Sequence, residues 1–190
     1  MIRPTRPQVH SERPVKPGLG FDGLIGEGWS GVDPDGAHVN VVLAERGTPT
    51  AAALLTTFTS PAPGHAPILV VVGEDKAHYE PVWPPTIMIN KETALEPRHQ
   101  TITWGAGQLG IAKGVLDAVA EELLVISVDL LVFVAIYIDS GATDETAVRI
   151  ASRVATLKGI RTAVIGRDPD GARALVERRD SLRNPFYGGD

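Results

Sequence analysis

The polar and apolar positions are most regular in residues 36 to 58, "GAHVNVVLAERGTPTAAALLTTF". Alternation with period two from Ala37 to Leu43 predicts a strand with one buried face, and it sets His38 and Asn40 together on the opposite face. Upstream, "FDGLIGEGWSG" predicts a short strand, followed by a loop marked by Gly31, Pro34 and Gly36. Thr48 before Pro49 predicts a helix start, because the hydroxyl can accept an orphan N–H and proline tolerates the first helical position. That helix runs through "TAAALLTTF" and ends before Pro61, where "SPAPGHAP" forms a rigid loop.

Farther along, "PILVVVG" predicts a strand and "EDKAHYEPVWPPT" an ordered excursion rich in proline. A strand then covers Thr86 to Thr93, with Ile87, Ile89, Lys91 and Thr93 on one face, so that an apolar stripe turns polar at its end. "TWGAGQLGIAKGVLDAVAEEL" spaces Ile111, Val115, Ala118 and Val119 along one helical face, and Gln108 falls near the start of that helix. The run from Leu130 to Ile138 is rich in β-branched and aromatic residues and predicts a central strand. Thr143 is the expected cap of a last helix, with Asp144 and Glu145 in its first turn and Ile150, Val154 and Leu157 in its core stripe. The order β, β, α, β, β, α, β, α has too few helices to cover both faces of a sheet, so the expected fold class is α/β, a two-layer α/β sandwich.

Composition narrows the organisation. The 190 residues are 43% hydrophobic and 22% charged, which suits one domain over 21–166, with a Pro-rich disordered arm over 1–20 and a polar tail over 167–190. A net charge of −5 argues against nucleic acid or an anionic membrane as partner. The chain has no cysteine, which excludes disulfides, thiolate metal sites and cysteine nucleophiles. The basic, proline-broken N-terminus lacks the apolar core of a signal peptide, and the longest apolar run is too short for a membrane helix; both predict a cytoplasmic protein.

Common chemical motifs are missing. "GLGFDG" follows no strand, and "WGAGQLG" lacks the Lys and Ser/Thr of a phosphate loop. Histidines 10, 38, 65, 78 and 99 show no metal-ligand spacing. His38, Asn40, Lys91 and Gln108 are the candidate cleft residues, although on spacing alone a half-exposed strand histidine, a solvated strand end and an ordinary first-turn glutamine account for them equally well. His65 in "APGHAP" and Trp29, Trp83 and Trp104 carry the same two readings, ligand contact or local packing.

The stretches "LIGEG", "AHVNVVL", "GTPTAAALLTTF", "GHAPILVVV", "TIMINKET", "WGAGQLGIAKGVLDAVAEE", "DLLVFVAIYI" and "ATLKGIRTAV", in this order, resemble the formaldehyde-activating enzyme family, which joins formaldehyde to tetrahydromethanopterin. The resemblance implies a fold like the second domain of ribosomal protein S5 and a homopentameric ring with sites between subunits. It also implies that His38 is the catalytic histidine and that Leu69, Lys91, Thr93 and Gln108 contact the pterin. Asn40 stands where the family usually has a substrate-contacting aspartate, and "GAGQ" where it usually has "GPAQ". The implied reaction is a hydro-lyase condensation of formaldehyde with a reduced pterin as co-substrate, without metal or redox cofactor. A histidine titrating near neutral pH can deliver the proton that expels water from a carbinolamine. The altered Asn40 keeps two other readings open: a non-catalytic pterin-binding or scaffold homologue, and aldehyde condensation on a different amine carrier.

Overall fold

The computed structural model of the protein describes residues 21–166 and 168–184. The 1–20 arm expected from the sequence therefore lies outside the described residues. The frame is a five-stranded sheet built from β1 (Asp22–Ser30), β2 (Ala37–Glu45), β7 (Leu130–Tyr137), β6 (Thr86–Asn90) and β3 (Ile68–Leu69), in that spatial order. Only the β6–β7 pair is parallel. Helices α3 (Gln108–Ala120) and α4 (Glu145–Ile165) pack on one face, and the expected two-layer α/β architecture is what forms.

The core lies between that face and the helices. Val39, Val41 and Leu43 of β2 and Val132, Val134 and Ile136 of β7 are fully buried there, opposite Ile111 and Val115 of α3. Burial of this order is worth roughly 1.5–3 kcal/mol per large aliphatic side chain. The approach of α4 to β1 is unusually close. A Cβ on Gly26 would sit 2.0 Å from the carbonyl oxygen of Gly159, and one on Gly28 would sit 2.1 Å from that of Ala155. Only glycine on the strand and small residues on the helix permit this spacing.

That contact corrects the stripe expected for α4. Its buried positions are Val148, Ala151, Ser152, Ala155, Thr156, Gly159, Ile160 and Ala163, whereas Ile150 is 56% and Val154 36% exposed, and Leu157 is half-buried. Residue size, not hydrophobicity alone, selects the inner face. The cap is also Asp144 rather than Thr143: the Asp144 carboxylate accepts from Thr146 N at 2.9 Å and Ala147 N at 3.0 Å. By contrast, Thr48 caps α1 (Pro49–Leu55) as its sequence predicts, accepting from Ala51 N.

Two further elements differ from expectation. The strand over "PILVVVG" divides at buried Val70 into β3, which joins the main sheet, and β4 (Val71–Gly73), which pairs with β5 (Tyr79–Pro81) in a separate hairpin. The helix carrying Gln108 begins eleven residues earlier than Gln108 itself. The chain coils as α2 (Pro97–Thr101), continues as a π-helical stretch (Ile102–Gly107) and runs into α3 without interruption. The tail contributes α5 (Pro169–Glu177), capped by Asp168. Among the described residues, no helix is long and apolar enough to cross a membrane.

Candidate active site

The second face of the sheet is covered at one end, where Ala51 and Leu54 of α1 meet Ala44 and Leu131. Elsewhere Ile87 and Phe133 are buried, and the other side chains of its cross-strand rows are half-buried or exposed. One row is apolar and runs through Leu69, Ile87, Phe133, Val42 and Ile25. The next holds Ile89, Ala135, Asn40 and Glu27, and beyond it lie Tyr137, His38 and Trp29, with Lys91 directly after β6. This face grades from apolar to polar along β6, as the alternation over Ile87, Ile89 and Lys91 predicts.

At the polar end four side chains form a chain of contacts. Lys91 Nζ lies 2.9 Å from His38 Nδ1 and donates to Asn40 Oδ1 at 3.0 Å. On the other side of the imidazole, Glu27 Oε1 lies 2.8 Å from His38 Nε2. An ammonium has only protons to offer, so His38 Nδ1 accepts from Lys91, and the proton of the neutral ring sits on Nε2, within ion-pair distance of the Glu27 carboxylate. Burial and the neighbouring Lys91 charge lower the His38 pKa below the ordinary histidine value, with Glu27 opposing them. Burial likewise lowers the Lys91 pKa, again against the pull of Glu27. Both shifts favour the uncharged forms, and the Glu27 carboxylate stands beside the ring to receive an imidazolium.

Lys91 is held by its own backbone, which donates to Ile136 O at 2.7 Å, and by a stitched loop behind it. Buried Asn90 donates from Nδ2 to Gly64 O at 2.6 Å and to Glu92 O at 2.5 Å. The His65 ring bridges Asn90 O (2.9 Å) and Thr93 Oγ1 (3.1 Å). Gly64 at φ +73° allows the turn, and a Cβ there would meet the Thr93 methyl at 2.5 Å. His65 is therefore a brace for the Lys91 segment.

A cavity of about 440 Å³ opens over His38 and Lys91 of this array, lined with them by Trp29, Asp33, Glu92, Tyr137, Asp139 and Asn184. Its size is that of a small-ligand site. The Tyr137 hydroxyl donates to Asp139 at 3.3 Å; burial and then Asp139 raise its pKa, so it stays protonated. Asn184 shows that the tail reaches the cavity wall. Of the three tryptophans, Trp29 lines the cavity, Trp83 is 37% exposed and Trp104 packs half-buried on the core.

The structure brings His38, Asn40 and Lys91 together but not the other three expected site residues. Leu69 is on the edge strand β3, 41% exposed. Thr93 lies beyond the end of β6, which closes at Asn90, and is exposed beside His65 rather than on a strand face with Lys91. Gln108 is half-buried inside a continuous helical run, and its N–H is already bonded to carbonyls of the preceding turn, so the expected free helix N-terminus is not there. None of these three lines the cavity; of the residues brought together, His38 and Lys91 do, and Asn40 stands behind Lys91.

Sequence reasoning missed Glu27. A signal was available in "GEG": two glycines facing a helix at period two force the intervening side chain onto the other face, beside His38 and Asn40 of the paired strand.

The formaldehyde-activating enzyme (Fae) family pattern matches residues 25–187, running past residue 166 into the tail. The chain is 31% identical over 165 residues to a 5,6,7,8-tetrahydromethanopterin hydro-lyase of Methanosarcina barkeri, covering 86% of this chain and 89% of that protein. It is 28% identical over 167 residues to a bifunctional enzyme Fae/Hps of Methanothrix thermoacetophila, and 27% over 166 residues to that of Methanosphaera stadtmanae. Those matches cover 87% and 86% of this chain but 41% and 39% of the bifunctional proteins, so the chain spans about two fifths of their length. By the extent of these matches and by the residues they include, the chain belongs to the formaldehyde-activating enzyme family.

Proposed function

We propose that the protein is a carbon–oxygen lyase that condenses formaldehyde with a reduced pterin of the tetrahydromethanopterin type, giving the methylene adduct and water. The observation that carries this reading is the Glu27–His38–Lys91–Asn40 array, whose His38 and Lys91 line a cavity of about 440 Å³. Addition of an amine to formaldehyde yields a carbinolamine, and loss of water from it requires a proton on the departing hydroxyl. His38 supplies and recovers that proton, and Glu27 steadies the imidazolium that forms in between. Asn40 presents an amide where a carboxylate would hold charge, so it orients substrate donors without fixing a cation. Holding aldehyde and amines in one cleft removes much of the entropic barrier to their union.

Leu69, Thr93 and Gln108 enter this reading as pterin contacts supplied from another part of the site. Their distance from the cavity of one chain accords with a homopentamer in which neighbouring subunits share each cleft, and Leu69 lies on the same accessible sheet face as His38. No metal or redox cofactor takes part in the proposed steps. The test follows formaldehyde consumption with tetrahydromethanopterin and, separately, tetrahydrofolate, in wild type and His38→Ala. The expected result is acceleration over the uncatalysed reaction, reduced by about 10²- to 10⁴-fold in the variant. Absence of acceleration with either pterin refutes the reading.

A further inference from the structure

Lys91 is placed as more than a contact residue. Its Nζ has four tetrahedral positions: one is bonded to carbon, one points to His38 Nδ1 at 2.9 Å and one to Asn40 Oδ1 at 3.0 Å. The fourth is left for the cavity that Lys91 itself lines. A half-buried amine with a proton acceptor within hydrogen-bond reach, and open space on its remaining side, is the arrangement of an imine-forming lysine. Nothing else about the site requires a histidine nitrogen to face an ammonium, a pairing that costs energy whenever the imidazole is charged.

Resting on the proposed reaction, we infer that Lys91 is the first amine to take up formaldehyde, holding it as a methylene iminium that the pterin then receives. The proton of the Lys91 ammonium passes to His38 Nδ1, and the imidazolium is balanced by Glu27 on its other nitrogen. The free amine attacks the aldehyde carbon: an N–C bond forms, the C=O π pair moves to oxygen, and oxygen takes the proton back from His38. The nitrogen of this adduct loses a proton to His38, giving the neutral carbinolamine. His38 next protonates the carbinolamine hydroxyl, the C–O bond breaks with its pair on water, and the nitrogen lone pair forms C=N. The sum is ammonium plus formaldehyde giving iminium plus water, balanced in atoms and charge without any further reagent. A pterin amine adding to the iminium carbon, followed by departure of Lys91 as the second pterin amine closes the ring, returns the lysine.

Supporting this order, burial lowers the Lys91 pKa, which makes the proton transfer less costly than for a solvated lysine. Asn40 contributes to the same end, because an amide neighbour does not hold the ammonium as a carboxylate would. Lys76 and Lys158 are exposed, and Lys158 Nζ donates to a backbone carbonyl. They serve as internal references for ordinary lysine reactivity.

The test uses the full chain with formaldehyde and sodium cyanoborohydride at neutral pH, without pterin, and maps N-methylation by peptide mass spectrometry. Lys91 is expected to gain its methyl group at least about tenfold faster than Lys76 and Lys158, and His38→Ala is expected to abolish that advantage. Equal labelling of the three lysines in wild type overturns the proposal. A second variant, Lys91→Arg, keeps the positive charge and donors but cannot form the iminium. Its turnover is expected to fall at least about 100-fold while it still binds tetrahydromethanopterin in a calorimetric titration; turnover near wild type overturns the proposal. A wild-type enzyme that condenses formaldehyde with the pterin but shows no Lys91 labelling leaves the proposed function standing and removes only the lysine route. A wild type that does neither removes both.

Discussion

Glu27 meets His38 directly and Asn40 meets it only through Lys91, so adding a charge at Asn40 and removing one at Glu27 move the site in opposite ways. In Asn40→Asp a carboxylate would stand where the amide accepts from Lys91 at 3.0 Å, favouring the charged forms of Lys91 and His38. The acid limb of kcat/KM is then expected at higher pH than in wild type. Glu27→Gln removes a charge that raises the His38 pKa, while burial and Lys91 continue to lower it, so the limb is expected at lower pH. Because the Glu27 side chain is 55% exposed, loss of this ion pair is worth about 0.2–1 kcal/mol and lowers the rate by roughly fivefold or less. A pH–rate profile of each variant checks both directions, and limbs moving the same way would refute the shared-histidine account. Stability carries the same sign. The folded chain binds the His38 proton less tightly than the unfolded chain, so it is not penalised above the unfolded value and loses stability as pH falls through and below that value. The Tm of wild type is therefore expected to drop against that of His38→Gln between about pH 7.5 and about pH 5.

At the level of elements, Gly28 connects packing with chemistry. Its Cβ position lies 2.1 Å from the Ala155 carbonyl oxygen, so Gly28→Ala must push β1 away from α4 and carry Glu27 and Trp29 with it. The expected cost is about 1–3 kcal/mol in urea unfolding, with a larger loss of activity than Ala substitution at an exposed site such as Glu74 produces. Asp144→Ala is expected to cost about 0.5–2 kcal/mol through loss of the α4 cap, whereas Thr143→Ala stays within about 0.5 kcal/mol; a reversal would restore Thr143 as the cap. These elements also show what the sequence could disclose. Period-two alternation revealed β2, the apolar part of β6 and the shared face of His38 and Asn40, because a half-buried strand writes its environment into every second residue. The α3 stripe is legible in the same way at period 3.6: Ile111, Val115 and Ala118 are fully buried, and Val119 packs half-buried against them. The α4 stripe was not, since close backbone approach favours glycine and alanine inside and puts Ile150 and Val154 outside, the reverse of a hydrophobicity rule. The early start at Pro97 escaped because a π-helical stretch interrupts the 3.6-residue period before Gln108. Glu27 escaped because strand register depends on pairing between β1 and β2, which no single segment records.

For the whole molecule, the accessible sheet face sets the most consequential expectation. Ile25 on edge strand β1 is 73% exposed and Leu69 on the opposite edge strand β3 is 41% exposed, yet both belong to the apolar row that continues through buried Ile87 and Phe133. Apolar side chains at both ends of one row, flanking a site that lacks three of its expected contact residues, are what a ring of subunits would cover. The proposed pentamer predicts a solution mass of five times the 20.2 kDa of one chain. Ile25→Asp places a charge in that row without touching Lys91, His38 or Asn40, and the side chain is exposed enough in one chain that the fold itself is not expected to suffer. If neighbouring subunits complete the cleft, the variant dissociates to smaller species and loses pterin condensation. Cyanoborohydride labelling of Lys91 persists in it, because the lysine and its histidine come from one chain. Dissociation with full turnover would show that each chain holds a complete site, and Leu69, Thr93 and Gln108 would then have to reach the pterin without a neighbour.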